Sequence, residues 1–158
     1  MRNTVYFWVM NKAGLIECID SYLKPLGFHR KEKSWYKEDI ETITVFAIDR
    51  SRWGEMYYVY IGVLFRNLSK EMRPKFYKCH GYMRVEHLGE KTEEYLNFEK
   101  EIDEDWRRQR IEELMNKSLR VLEKMKTVAG FRELLKQFDL KIFMLNVEAQ
   151  KYLGVYVQ

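Results

Sequence analysis

The chain is poor in the residues that staple, punctuate or span. It has two cysteines, Cys18 and Cys79, in 158 residues, too few for a disulfide framework, and a reducing cytoplasm is the compartment that fits them. Two prolines and eight glycines leave no Gly/Ser/Pro-rich linker, low-complexity tract or internal repeat, so residues 1–158 read as a single domain. No window approaches the roughly 20 apolar residues needed to cross a bilayer. The apolar stretch "TVYFWVM" is followed by "NKAG" rather than by a small-residue cleavage site, so neither a membrane span nor a cleavable signal is expected. The net charge of +4, from 28 basic and 24 acidic residues, is spread along the chain. A nucleic-acid partner would therefore need a local basic patch, because the total supplies little.

What the chain does have is apolar mass: 46% of its residues are hydrophobic and 15% aromatic. A domain of this length buries roughly 70% of the surface that its unfolded form exposes, enough for one core. From Asn11 to Leu26, Ile16, Ile19, Leu23 and Leu26 recur at helical spacing, and "KPLGF" then stops the helix, since Pro25 disfavours α geometry in Lys24 and Gly27 suits a turn. "KSWYKE", "ETITVFAID" and "YYVYIGVLF" are rich in Thr, Ile, Val, Phe and Tyr with turn formers between them, which predicts three successive antiparallel strands. "CHGYMRVEHL" adds a candidate fourth. Between Asp103 and Lys126, Ile111, Leu114, Met115, Ser118, Leu122 and Met125 mark one face of a long amphipathic helix, while Arg107, Arg108, Arg110, Glu112, Glu113, Lys117, Arg120 and Lys124 fill the rest as its wet side. "AGFRELLKQF" predicts a shorter helix and "NVEAQKYLGV" a last one, with Asn146 as N-cap and Gly154 near its end. The order predicts an α+β domain: an N-terminal helix, an antiparallel meander of three to five strands, and C-terminal helices packed on one face.

The stretch "DRSRWGEMYYVYIGVLF", Asp49 to Phe65, concentrates the chemistry. Its plain reading is a hairpin whose Gly54-containing loop carries solvated arginines. The residue mix adds a second reading: arginine offers a planar fork of donors, and tryptophan and tyrosine supply rigid amphipathic area, the combination found at energetic centres of interfaces. Arg50, Ser51, Arg52, Trp53, Tyr58 and Tyr60 are the candidate partner-binding residues. Strand alternation puts Tyr57, Val59, Ile61, Val63 and Phe65 on the core face, and Tyr58, Tyr60, Gly62 and Leu64 on the other. Gly62 would leave room there for a neighbouring backbone or a bound group.

A rival patch lies in "GFHRKEKSWYK", where His29, Arg30, Lys31, Lys33, Trp35, Tyr36 and Lys37 could hold phosphates while an aromatic ring stacks on a base. With the arginine-rich helix at 103–126 it forms the alternative, a nucleic-acid binder. Glu32, Glu38 and Asp39 dilute the patch, and a solvated turn is its plain reading. Cys79, His80 and His87 with Cys18 lack the spacing of a metal site, no serine sits in a nucleophile-elbow setting, and no glycine-rich phosphate loop occurs. The carboxylate pairs Glu93-Glu94, Glu99 with Asp103, and Glu104-Asp105 lie in a charged segment unsuited to raising a carboxyl pKa. No catalytic residue, metal or cofactor is expected.

The order "LKPLGFHRKEKSWYKE", "ITVFAIDRSRWG", "YYVYIGVLF", with the later "YMRVEHL" and "EAQKYLGV", resembles the bacterial domain-of-unknown-function 4304 family from Lys12 to about Val155. The matching positions are Gly27, Phe28, Ser51, Arg52, Trp53 and Gly62. Asp49 and Tyr60 depart from it, standing where members often carry glutamine and asparagine, so a polar site built on those amides would be altered here. The resemblance implies a partner-binding, immunity-like role. Residues before Asn11 lie outside it and read as an extra strand or a mis-set start. The expectation is a module that occludes an acidic protein surface with the 50–60 stretch.

Overall fold

The computed structural model describes residues 10–88 and 91–156. Asn11 opens α1 (Lys12–Leu23), its side chain accepting from the Gly14 N–H at 2.9 Å, a standard satisfaction of a free first-turn donor. Leu15, Ile19 and Leu23 form the buried stripe. Leu26, expected on that stripe, is 47% exposed: Lys24–Leu26 tightens into a 3-10 turn around Pro25, which rotates Leu26 off the α-helical face. Gly27 then takes φ +95°, a left-handed conformation that suits glycine, and the chain reverses into the sheet.

Among the described residues the sheet has six antiparallel strands in sequential order: β1 (His29–Lys31), β2 (Ser34–Glu38), β3 (Thr42–Arg50), β4 (Tyr57–Phe65), β5 (Gly81–Arg84) and β6 (Met144–Leu145). Two were not foreseen. The basic turn contains an edge strand, β1, which pairs Arg30 with Trp35, and two-residue β6 closes the other edge against Gly81 and Tyr82. The fourth strand is shorter than "CHGYMRVEHL", because Val85–Leu88 coils into a 3-10 turn. Of the residues before Asn11, read as an extra strand or a mis-set start, 1–9 lie outside the described residues, and Met10 is buried in the core with no strand assignment.

One sheet face carries the main core. Tyr57, Val59, Ile61, Val63 and Phe65 of β4 join Trp35, Phe46 and Ile48 there, in the alternation expected of a half-covered strand. Above them lie α1, α3 (Glu104–Lys124), α4 (Val128–Gln137) and α5 (Val147–Leu153), which contribute Ile19, Ile111, Leu114, Phe131, Leu134 and Ala149 to the same cluster. A short α2 (Thr92–Tyr95) precedes α3. Asp103, Thr127 and Asn146 each cap the helix that follows, and Gly154 ends α5 at φ +71°. The domain is α+β, with its helices on one face.

The opposite face is only strapped. Tyr36, Ile43, Val45, Ala47, Leu64 and Cys79 form a second, smaller cluster under Phe76. A Cβ at Gly62 would stand 3.0 Å from the Cys79 Sγ, so the room at Gly62 is taken by this strap. The wet-side reading of α3 fails at one residue: Arg107 is 1% exposed, because it lies four residues before Ile111 and so on the inward stripe.

Candidate functional site

The elbow between β3 and β4 is held by a neighbouring segment. The Ser51 N–H donates to the Met56 carbonyl at 2.7 Å and its hydroxyl accepts from the Trp53 N–H at 3.1 Å, an internal turn typical of serine. From outside, residues 95–100 run alongside. The Tyr57 N–H donates to the Leu96 carbonyl at 3.0 Å, the Phe98 N–H to the Glu55 carbonyl at 2.8 Å, and Met56 bridges Asn97. Glu99 accepts from the Glu55 N–H at 3.2 Å, and its carboxylate lies where a Gly54 Cβ would be, 2.8 Å away. A side chain at residue 54 would displace the Glu99 carboxylate from this position.

Arg107 anchors that segment from below. Its guanidinium donates to the carbonyls of Tyr95 at 2.7 Å, Asn97 at 3.2 Å and Lys100 at 2.8 Å, and to the Glu104 carboxylate at 3.2 Å. A buried arginine satisfied this fully acts as a rigid clamp on otherwise unpaired carbonyls. The elbow is thus positioned by α3 through the 95–100 segment.

Asp49, Arg50, Ser51, Arg52, Trp53, Tyr58 and Tyr60 line one shallow recess of about 540 Å³, so all six candidate residues meet at one place. Their states differ. Ser51 is buried and structural. Arg50 is engaged with Glu55 at 2.9 Å. Arg52 is exposed, with no side-chain partner among the described residues, and Trp53 is 85% exposed. Tyr58 lies under the Arg84 guanidinium, 4.5 Å from its ring centre, and Tyr60 stacks on Phe76 at 4.0 Å. Burial pushes the Tyr60 phenol above its ordinary pKa while Arg84 pulls it down, so at neutral pH its hydroxyl remains a donor.

Sequence reasoning missed Arg84, Glu86, Phe76 and Glu99. Arg84 pairs with Glu86 at 2.5 Å and lies beside Tyr60 on the strapped face through the Tyr60–Arg84 register. Only that cross-strand register brings it to the tyrosines. The signal for Arg107 was present, since its spacing to Ile111 and Leu114 is helical.

The rival patch is arranged differently. Trp35 is fully buried, Tyr36 is 6% exposed, and the Trp35 indole N–H donates to Asp20 at 2.8 Å, while Arg30 also faces Asp20 at 3.5 Å. On α3, Arg108 pairs with Asp105 and Arg110 with Glu113. The histidines lie on separate elements: His29 on β1, His80 buried before β5, His87 in the 3-10 turn after it. Among the described residues no group of three His, Cys, Asp or Glu side chains is placed to hold a metal ion, and no helix is long and apolar enough to cross a membrane.

No curated protein and no solved structure matches the chain. The family described as "Domain of unknown function (DUF4304)" matches residues 19–127, which run from the middle of α1 through β1–β5 to just past the end of α3 and include the elbow, its supporting segment and Arg107. That range is more than half of the chain, and the protein belongs to the DUF4304 family.

Proposed function

We propose that this protein is a non-enzymatic partner-binding module that docks its β3–β4 elbow on an acidic surface of another protein and occludes it. The observation that carries this reading is Trp53, 85% exposed beside the unpartnered Arg52, on a loop whose backbone is fastened at Ser51, Glu55 and Tyr57. An exposed tryptophan on a fixed loop costs little further ordering on binding, and it supplies the rigid anchor that interfaces favour. Arg52 offers a free guanidinium fork to a carboxylate, and Tyr58 and Tyr60 extend the contact along the sheet. A cytoplasmic, immunity-like role in a bacterium, in which the module covers the working surface of a toxin, is the form of this function that we favour.

The nucleic-acid alternative draws less support, since Trp35 and Tyr36, which would stack on bases, are buried and Arg30, Arg108 and Arg110 are paired within the chain. The test uses the tagged protein and its Arg52→Glu/Trp53→Ala variant to capture partners from source lysate, with and without nuclease. A stoichiometric protein that survives nuclease, is lost with the variant and then binds as a purified pair supports docking. Capture that nuclease removes, or that the variant retains, overturns it. Both substituted side chains are exposed, so the variant's thermal midpoint should stay within a few degrees of the parent.

A further inference from the structure

A second concavity lies on the helical side, away from the elbow. Leu88, Val121, Leu134 and Phe138 supply its apolar walls, and Lys117, Arg120 and Lys124 of α3 with Gln137 of α4 its rim, around a volume of about 380 Å³. That size falls at the lower end of small-molecule sites. Among the described residues that line it there is no carboxylate.

The three cations occupy positions i, i+3 and i+7 of one helix stripe, and like charges at that spacing weaken a helix. Most of the cations on and next to α3 are engaged: Arg110 with Glu113, Lys126 beyond its end with Glu123, and Lys117 also has a partner. In the groove, Lys124 reaches across to Glu133 of α4 at 2.7 Å, while Arg120 is exposed and has no partner among the described residues. Leu88 and Phe138 are only half-buried, which leaves apolar surface open beside an unpaired guanidinium.

We propose that this groove binds a small amphiphilic anion, a carboxylate on an aliphatic chain, with the chain between Leu88 and Phe138 and the head group on Arg120. The apolar walls select a tail that water disfavours. The guanidinium takes the carboxylate as a charge-assisted, two-bond pair. Neither half suffices: a bare anion gains too little against solvent screening at an exposed site, and a neutral chain leaves Arg120 without its counter-charge.

The experiment titrates the intact protein with decanoate below its micelle concentration, by calorimetry and by amide chemical-shift mapping, alongside decanol, acetate and the exposed-site variant Arg120→Glu. Saturable decanoate binding is expected, with shifts centred on Leu88, Val121, Leu134 and Phe138. Decanol and the variant should each bind about tenfold more weakly, the ratio that follows from losing one charge-assisted pair. Acetate should give no saturable signal. The proposal is overturned if decanoate does not saturate, if its shifts map elsewhere, or if decanol or the Arg120→Glu protein binds it as well as the parent does. An unchanged thermal midpoint for Arg120→Glu shows that lost binding is not lost folding.

Discussion

Replacing Arg107 with methionine should cost the domain a large part of its stability and loosen the elbow first. The guanidinium is 1% exposed and satisfies three carbonyls of the 95–100 segment as well as Glu104. Hydrogen bonds from a charged donor are each worth about 1.5–3 kcal/mol. Several kcal/mol of that total is offset by the penalty of burying the charge itself, which methionine does not incur, so the net loss should be about 3 kcal/mol. For a domain of this length that corresponds to a fall in Tm of about 6–12 °C. Urea denaturation followed by circular dichroism measures the global loss. Hydrogen exchange at the Tyr57 and Phe98 amides, which bond Leu96 and Glu55, measures the local one. These amides should exchange faster than the global destabilisation accounts for. Arg107→Lys should recover only part of the loss, because an ammonium group lacks the planar fork that reaches three carbonyls together. A methionine variant within about 0.5 kcal/mol of the parent, the range of ordinary surface substitutions, would refute the clamp. So would exchange at Tyr57 and Phe98 that rises no more than at the rest of the sheet.

Three further outcomes follow from the same geometry. His80 is buried, its Nδ1 accepts from the Phe65 N–H at 2.9 Å and its Nε2 faces Glu148 at 3.3 Å; burial holds its pKa below the ordinary value, with Glu148 opposing. The unfolded chain then binds the proton more tightly, so His80's contribution to stability is complete above about pH 6.5 and is lost as the pH falls below it toward the folded value. The urea midpoint should drop over that window in the parent and less in His80→Asn, and equal slopes would dismiss the assignment. Burial pushes the Cys79 thiol up to about 12 and the Cys18 thiol up to about 11, so neither should react readily with iodoacetamide in the native protein while both react in urea; prompt native labelling of Cys79 would show that the Phe76 strap opens. A Cβ at Gly130 would lie 2.2 Å from the Lys124 carbonyl, and Gly130→Ala should destabilise by about 1–3 kcal/mol in thermal or urea melts, a substitution that helix propensity alone would make favourable.

Local patterns are read directly from the chain because each depends on residues a few positions apart. The buried stripe Ile111, Leu114, Met115, Ser118, Leu122 and Met125, the caps at Asn146 and Gly154, the alternation of β4 and the turn at Gly27 all follow from helical or strand periodicity and from backbone preference, and these settled the α+β class. The strands that sequence reasoning missed are short, His29–Lys31 wholly polar and Met144–Leu145 only two residues long, and they are strands because a neighbour offers hydrogen bonds, a property that their own residues do not carry. The same holds for the site. The Arg/Trp/Tyr mix between Asp49 and Tyr60 marks the elbow in the sequence, yet nothing there tells which arginine is free. Tertiary structure decided that Arg50 spends its charge on Glu55 and Arg52 does not, that Trp35 faces the core while Trp53 faces solvent, and that Arg107 leaves the wet side of its helix to hold the elbow's support. Pairing and burial of a charged or aromatic side chain depend on residues distant in sequence, and only the folded sheet and helices bring them within reach.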